Sequence, residues 1–333
     1  MARRKKKISV AALQAGIWAA GQLAAYGGSF DEPNTAIASG TNAIAIGEAA
    51  TASGTNSTAI GTSANATSSG AIAIGSGSLA NAINALAEGT SALSTGANAV
   101  SLGTGSSASN ANALAIGTGS TSSAVNTTAL GTRANANSNN AIAAGTSATA
   151  RGTNATALGT TAVASNSNGI AIGSNAASSG VNASAIGAGA SATSDNALAT
   201  GSGANASGTN AVALGTAVSA NSSNGIAIGT TALSTSTNAI AVGAGASASG
   251  SNATAIGRGA VANRANQFTL GTASSIYYLP GADPTNAPNA PAPTQSNSIT
   301  TGYVFAYQTA ANGNTLSYYN VPNSVSNQNA ANY

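Results

Sequence analysis

The sequence predicts an all-β fold, a parallel β-solenoid, from three observations. A glycine recurs at every fourteenth position from Gly47 to Gly271, in one frame with no insertion or deletion. The residues one and three positions before this glycine are mostly large and apolar, and the residue between them is almost always Ala. An Asn stands five positions before the glycine in every repeat except one, where Gly70 replaces it. A fixed short period of this kind is typical of repeat architectures.

Each part of the repeat unit predicts one element of a coil. The alternation of large residue, Ala and large residue predicts a strand with both large side chains on one face. The glycine predicts a corner with positive φ at one end of that strand, and the Asn predicts a turn at the other end and a ladder of stacked amides. Small residues three and five positions after the glycine predict a second, short strand. Representative turn and ladder residues are Gly47, Gly61, Gly117, Gly173, Gly229, Asn42, Asn56, Asn112, Asn168 and Asn224.

The composition argues against a catalytic site. The 333 residues include no His and no Cys, and only six Asp and Glu. The chain therefore lacks an imidazole base, a thiol nucleophile and the usual zinc ligands, and a pair of carboxylates in one site would be a coincidence. We expect no enzyme, no metal site and no cofactor.

The positive charge is concentrated at the N-terminus. Five of the nine Lys and Arg residues are Arg3, Arg4, Lys5, Lys6 and Lys7, so the rest of the chain holds four Arg against six acids. This nearly neutral body offers no basic face for phosphate groups, which argues against nucleic-acid binding.

The chain divides into four segments. Residues 1–33 join the basic start to an Ala-rich apolar stretch that predicts a helix and contains Trp18; this segment is either an attachment element or a secretory leader. Residues 34–278 hold the repeats, and residues 279–296 hold five of the seven prolines, which predicts an extended linker. Residues 297–333 predict a small β-hairpin that turns at Asn312-Gly313. Its aromatic side chains are Tyr303, Phe305, Tyr307, Tyr318 and Tyr319.

One unit of the array reads Asn-Ala-Ile-Ala-Ile-Gly at 42–47 and is followed by Ala50, Ala52 and Gly54. It resembles the head repeat of YadA-like trimeric autotransporter adhesins, and the resemblance covers about residues 34–278. The resemblance implies a left-handed parallel β-roll in which three chains associate side by side, and it implies surface display and adhesion.

Burial also favours a homotrimer. Two large side chains in each coil bury little apolar surface, and the stabilisation from that burial is small compared with the entropic cost of ordering the backbone. Burial of further surface between chains would add stability. The sequence does not tell which large column lines the roll and which faces the threefold axis. Glu88 interrupts one of these columns, either as tolerated variation or as an interior polar or ion site where three copies meet.

Three functions fit these features. The first is a virion fibre on the virion surface. Such a fibre would dock on a capsid or tail protein through residues 1–28, and its C-terminal aromatic residues would bind a host-surface glycan or protein. The second is a bacterial trimeric autotransporter adhesin at the cell surface, and the third is a passive or ice-binding solenoid. The short segment after Gly271 lacks the patterns of a coiled-coil stalk and a membrane anchor. We therefore expect the virion fibre. The C-terminal aromatic residues could instead form only a cap of the trimer.

Overall fold

A computed structural model describes residues 35–275 and the two strands Tyr303–Ala310 and Gly313–Asn320. The described residues contain strands and turns and no helix. The helix predicted within residues 1–33 and the linker predicted at 279–296 lie outside the described residues.

The solenoid consists of seventeen coils, each with one short and one long strand. The two-residue strands are Ile37–Ala38, Thr51–Ala52, Asn65–Ala66, Leu79–Ala80, Leu93–Ser94, Ser107–Ala108, Thr121–Ser122, Asn135–Ala136, Thr149–Ala150, Val163–Ala164, Ala177–Ser178, Ser191–Ala192, Asn205–Ala206, Ser219–Ala220, Leu233–Ser234, Ser247–Ala248 and Val261–Ala262. The three-residue strands are Ile44–Ile46, Thr58–Ile60, Ile72–Ile74, Leu86–Glu88, Val100–Leu102, Leu114–Ile116, Thr128–Leu130, Ile142–Ala144, Thr156–Leu158, Ile170–Ile172, Ser184–Ile186, Leu198–Thr200, Val212–Leu214, Ile226–Ile228, Ile240–Val242, Thr254–Ile256 and Phe268–Leu270.

The strands form two parallel sheets, which we name the short-strand sheet and the long-strand sheet. Every strand pairs with its equivalent in the next coil, one repeat away. Ala177 lies opposite Ser191 in the short-strand sheet, and Ile172 lies opposite Ile186 in the long-strand sheet. The same register holds along the whole array, so the predicted parallel β-solenoid of about seventeen coils is confirmed.

Two columns of turn residues have the backbone angles that the repeat requires. The corner glycines from Gly47 to Gly257 have φ between 117° and 138°. An added Cβ at these glycines would also meet the backbone of the next coil: at Gly173 it would lie 2.5 Å from the carbonyl oxygen of Gly187. The asparagines of the repeat from Asn42 to Asn266 have φ between 56° and 59°, in the left-handed region that Asn tolerates.

A third left-handed column lies two residues after each corner glycine and was not predicted from the sequence. Seven of its members are Gly, and its other members are Ala49, Ser63, Ser91, Arg133, Ser147, Thr161, Asn175, Ala217 and Thr231. Each coil therefore makes two left-handed turns in addition to its glycine corner.

The interior of the solenoid is filled by small side chains, mostly alanine. Each coil points four residues inward, as Ala183, Ala185, Ala190 and Ala192 do in one coil, and all four are fully buried. The largest fully buried side chains are Val218 and Thr127. So short a coil thus encloses a space only a few atoms wide.

Serine and threonine residues that replace Ala in the interior form hydrogen bonds there. The hydroxyl groups of Ser101 and Ser106 lie 2.6 Å apart, as do those of Ser122 and Thr127. Ser94 donates to the carbonyl oxygen of Ala99 at 2.9 Å. These bonds offset the cost of burying a hydroxyl group in a narrow apolar interior.

The position of the large side chains differs from the sequence-based expectation. Both columns lie on the outer surface of the long-strand sheet, so neither one lines the roll. The Ala between them points inward instead, because successive side chains in a strand point to opposite faces and the interior has no room for a larger group.

The C-terminal strands Tyr303–Ala310 and Gly313–Asn320 pair antiparallel, as a hairpin requires. Ala310 lies opposite Gly313, so Gly313 belongs to the second strand and not to the turn in which the sequence predicted it at Asn312-Gly313. In this register Phe305 lies opposite Tyr318 and Val304 lies opposite Tyr319.

Candidate functional site: the long-strand face

The outer surface of the long-strand sheet, which we name the long-strand face, is an extended apolar feature of the described chain. It is formed by the first and third residues of each long strand, and most of these residues are large and apolar. Many are well exposed in the single chain: Ile44 and Ile46 are each 41% exposed, and Leu130 is 48% exposed. Exposed β-branched and leucine side chains in such number need a partner surface.

The size of this face supports association. At about 4.8 Å between strands, seventeen strands extend over about 80 Å, and the two columns lie roughly 7 Å apart. Monomeric soluble proteins seldom expose a contiguous apolar patch larger than a few hundred Å². A face of about 80 Å by 7 Å reaches that size, which favours its burial against another protein surface.

Glu88 lies on the long-strand face and not in the interior. It is exposed and stands between Ile74 and Leu102 of the neighbouring coils. Glu88 therefore does not line the interior of the roll, because this position points outward. That three copies meet at Glu88 stays a prediction. Ala144 and Thr200, the other departures in the same column, are half-buried on the same face.

The opposite, short-strand side has a different chemistry. The outward residue of each short strand is Ser, Thr or Asn in ten of seventeen coils. Thr160 and Thr161, which follow a corner glycine, are exposed. The short-strand side is thus more polar than the long-strand side, which leaves the long-strand face as the surface better suited to burial.

An asparagine ladder runs along one corner of the solenoid. Each side-chain amide donates from Nδ2 to Oδ1 of the equivalent Asn in the next coil, at distances from 2.9 to 3.4 Å. The ladder residues are Asn84, Asn98, Asn112, Asn126, Asn140, Asn154, Asn168, Asn182, Asn196, Asn210, Asn224, Asn238, Asn252 and Asn266. These bonds lie on the surface and tie each coil to the next.

Gly70 interrupts the ladder. Asn42 and Asn56 form one bond before it, at 3.3 Å, and the long ladder begins after it at Asn84. Gly70 has φ 68°, which Asn also tolerates, and an added Cβ would lie 2.6 Å from Oδ1 of Asn84, the movable end of a side chain. The position can therefore hold an Asn after a small rotation of Asn84.

We expect Gly70→Asn to raise the free energy of unfolding by about 1 kcal/mol, because the change adds two exposed hydrogen bonds and restricts the unfolded chain. Denaturant unfolding followed by circular dichroism measures the effect. Gly77→Asn is the control, because Gly77 has φ 67° but lies outside the ladder. A stabilisation of equal size in both variants would show that joining the ladder contributes nothing.

The described residues offer no metal cluster, since no three His, Cys, Asp or Glu side chains among them come together. Within the same part of the chain, no helix has the length and apolar character needed to span a membrane.

The predicted attachment residues Arg3, Arg4, Lys5, Lys6, Lys7 and Trp18 lie outside the described residues. The aromatic residues predicted for receptor binding, Tyr303 to Tyr319, lie on the two hairpin strands. The sequence did not predict the outward position of the long-strand columns, although the Glu and Thr among their members were compatible with contact with solvent.

Comparison with known protein families identifies the repeats. The family model described as the YadA head domain repeat matches residues 38–64, 94–120, 122–148, 150–176 and 178–266. No curated protein sequence matches the chain. The unmatched residues 65–93 include Gly70 and Glu88, the two departures described above, and the strands continue through them without a break. The match covers more than half of the chain, so this protein belongs to the YadA head domain repeat family, the family of a structural adhesin module.

Proposed function

We propose that the chain forms the shaft of a homotrimeric adhesin displayed at the bacterial cell surface, with the long-strand faces of three copies packed together. The observation that carries this proposal is the exposed apolar face along a solenoid of the YadA head repeat family. Because the interior of each coil holds mostly Ala, one chain buries little apolar surface per residue. Packing the Ile, Leu and Val side chains of three chains together supplies the missing burial.

Ile172→Asp should weaken the trimer, whereas Thr160→Asp should leave it intact. Ile172 is 37% exposed in a single chain, so an aspartate there would be tolerated by a monomer but would bury a charge in a trimer. Thr160 is exposed at the corner outside the long-strand face. We expect Ile172→Asp to cost about 2 kcal/mol per chain, measured by sedimentation equilibrium and by the melting temperature. Equal behaviour of the two variants, or a stable folded monomer of the wild type, would contradict a trimer built on this face.

The cell-surface location rests on the family, whose adhesins are surface-exposed. A virion fibre, the function expected from the sequence, has the same requirements for a rigid trimeric shaft, but the family match favours the bacterial surface. Antibody labelling of intact cells tests this location directly. Labelling of the cells supports the proposal, whereas recovery of the protein from purified virions by mass spectrometry supports the fibre.

Specific recognition is best assigned to the C-terminal end and not to the shaft. The outer surface of the shaft repeats small polar residues and has few of the aromatic and Arg side chains that dominate binding energies. Five of the eleven Tyr and Phe residues lie in Tyr303–Ala310 and Gly313–Asn320. Aromatic rings stack well on sugar rings, so a surface glycan is the ligand class that we favour.

Deletion of residues 297–333 should abolish binding to target cells and leave the shaft trimeric. Binding is measured by flow cytometry with the labelled protein, and the oligomeric state by sedimentation. Retained binding would assign recognition to the shaft. An aggregated or unfolded shaft would mean that these residues act as a cap of the trimer.

A further inference from the structure

The last coil of the solenoid departs from the repeat at its inward positions. Where the preceding coil carries Ala253 and Ala255, the last coil carries Gln267 and Thr269. Ala253 and Ala255 are fully buried, whereas Gln267 and Thr269 are half-buried at the open end. A longer, polar pair at this one place suggests a role specific to the end.

At four places in the array, one carbonyl oxygen of the following coil accepts two consecutive backbone N–H groups. The amides of Ser249 and Gly250 both donate to the carbonyl oxygen of Ala262, at 2.9 and 3.3 Å. The same pairing recurs earlier, where Ser39 and Gly40 donate to Ala52 at 3.0 and 3.3 Å. The acceptor always lies in the next coil, so the last coil has no such carbonyl among the described residues.

The side chain of Gln267 takes over this acceptor position. Its Oε1 accepts from the backbone N–H groups of Asn263 and Arg264, at 3.0 Å each. Asn263 and Arg264 follow Ser249 and Gly250 by one repeat, so they are the equivalent amides of the last coil. The amide of Gln267 also donates to Thr269, whose hydroxyl donates to the carbonyl oxygen of Val261, both at 3.0 Å.

The first coil shows the matching arrangement at the other end. Inside the array the amide of Ser63 donates to the carbonyl oxygen of Glu48, in the preceding coil, at 2.8 Å. The equivalent amide of Ala49 donates instead to Oγ1 of Thr35, also at 2.8 Å. A side-chain oxygen again replaces a backbone carbonyl.

We propose that Thr35 and Gln267 are the end caps of the solenoid: their side chains imitate the neighbouring coil and hold the terminal coils closed. In a solenoid each coil is stabilised only by its neighbours, so the terminal coils have one partner fewer and fray first. Unpaired edge groups also invite pairing with another chain. The two caps form three hydrogen bonds that pair edge N–H groups and hold the terminal coils against fraying.

Amide hydrogen exchange on the full chain tests the two caps separately. Gln267→Ala, which restores the repeat residue, should raise the exchange rates of the Asn263 and Arg264 amides about tenfold or more. The amides of Ser249 and Gly250, one coil inside, should keep their rates and so report that the array is folded. Gln267→Glu keeps an oxygen acceptor and should keep the protection.

At the other end, Thr35→Val should raise the exchange rate of the Ala49 amide, and Thr35→Ser should not.

Unchanged exchange at Asn263 and Arg264 in Gln267→Ala would overturn the C-terminal cap, and unchanged exchange at Ala49 in Thr35→Val would overturn the N-terminal one. Equal loss of protection in Gln267→Ala and Gln267→Glu would also overturn the capping role of the oxygen.

Discussion

Gly187→Ala is expected to lower the free energy of unfolding by roughly 3–5 kcal/mol per chain. Gly187 has φ 133°, outside the range of residues with a Cβ. An added Cβ would lie 2.4 Å from the carbonyl oxygen of Gly201 in the next coil. Relief requires the two coils to move apart, which would weaken the parallel strand pairing on both sides of the corner. Denaturant unfolding followed by circular dichroism measures the loss.

Gly189→Ala is the matched control, two residues further along the same corner. Gly189 has φ 66°, and an added Cβ there would meet nothing within 4 Å. Ala49 and Ala217 already occupy the equivalent position in other coils, with φ 53° and 51°. We expect a cost of about 1 kcal/mol for the left-handed conformation. Equal unfolding midpoints for the two variants would mean that the contact between stacked corners does not limit the repeat.

Ala185→Leu is expected to destabilise the protein by roughly 2–3 kcal/mol, although it adds an apolar side chain to an apolar interior. Ala185 is fully buried, and Ala171 and Ala199 occupy the same inward position in the adjoining coils. The larger side chain cannot fit in a space where Val218 is among the largest buried residues, so the two sheets must separate locally. The melting temperature and denaturant unfolding report the change.

Ser184→Leu places the same side chain at the preceding position as a control. Ser184 is the first residue of its long strand and points outward, where the neighbouring coils carry Ile170 and Leu198. Leucine at this position joins Ile170 and Leu198 into a longer apolar run on the long-strand face. We therefore expect no loss of stability and a tighter association of the proposed trimer. If Ala185→Leu were tolerated and Ser184→Leu were not, the assignment of the inner and outer faces would be reversed.

Most of the fold could be predicted from the sequence because a repeat of fourteen residues is compatible with few architectures. A corner glycine, a left-handed Asn and two short strands must all fit into one short repeat, which leaves a parallel solenoid as the matching architecture. The left-handed column at Ala49 and its equivalents could not be predicted in the same way. Its occupants include Ala, Ser, Thr and Arg, none of which indicates positive φ, and only the seven glycines hint at it.

The direction in which the side chains point could not be predicted from apolar character. Large residues usually lie inside, so alternation alone assigns Ile and Leu to a core. The variation within each column gives better information: the middle position of the long strand accepts only Ala, Ser and Thr, whereas the flanking columns accept Glu88, Thr58 and Phe268. A limit on size marks the interior of this solenoid, and a tolerance for polar and bulky groups marks its outside.

The uniform register has a consequence for how such a shaft can change in length. When one whole repeat is lost or duplicated within the array, the coils on either side of the junction still have matching positions. Each strand then pairs with the equivalent strand of its new neighbour. Losing a segment one residue shorter or longer than a repeat would instead leave one coil at the junction with a residue too many or too few. The strands of that coil could not pair in register with both neighbouring coils. Variants of this gene that differ by complete repeats should therefore fold, and their reach should grow or shrink in steps of about 4.8 Å. In the cell-surface adhesin proposed above, recombination alone could therefore adjust the distance between the cell and the bound surface, without any new sequence.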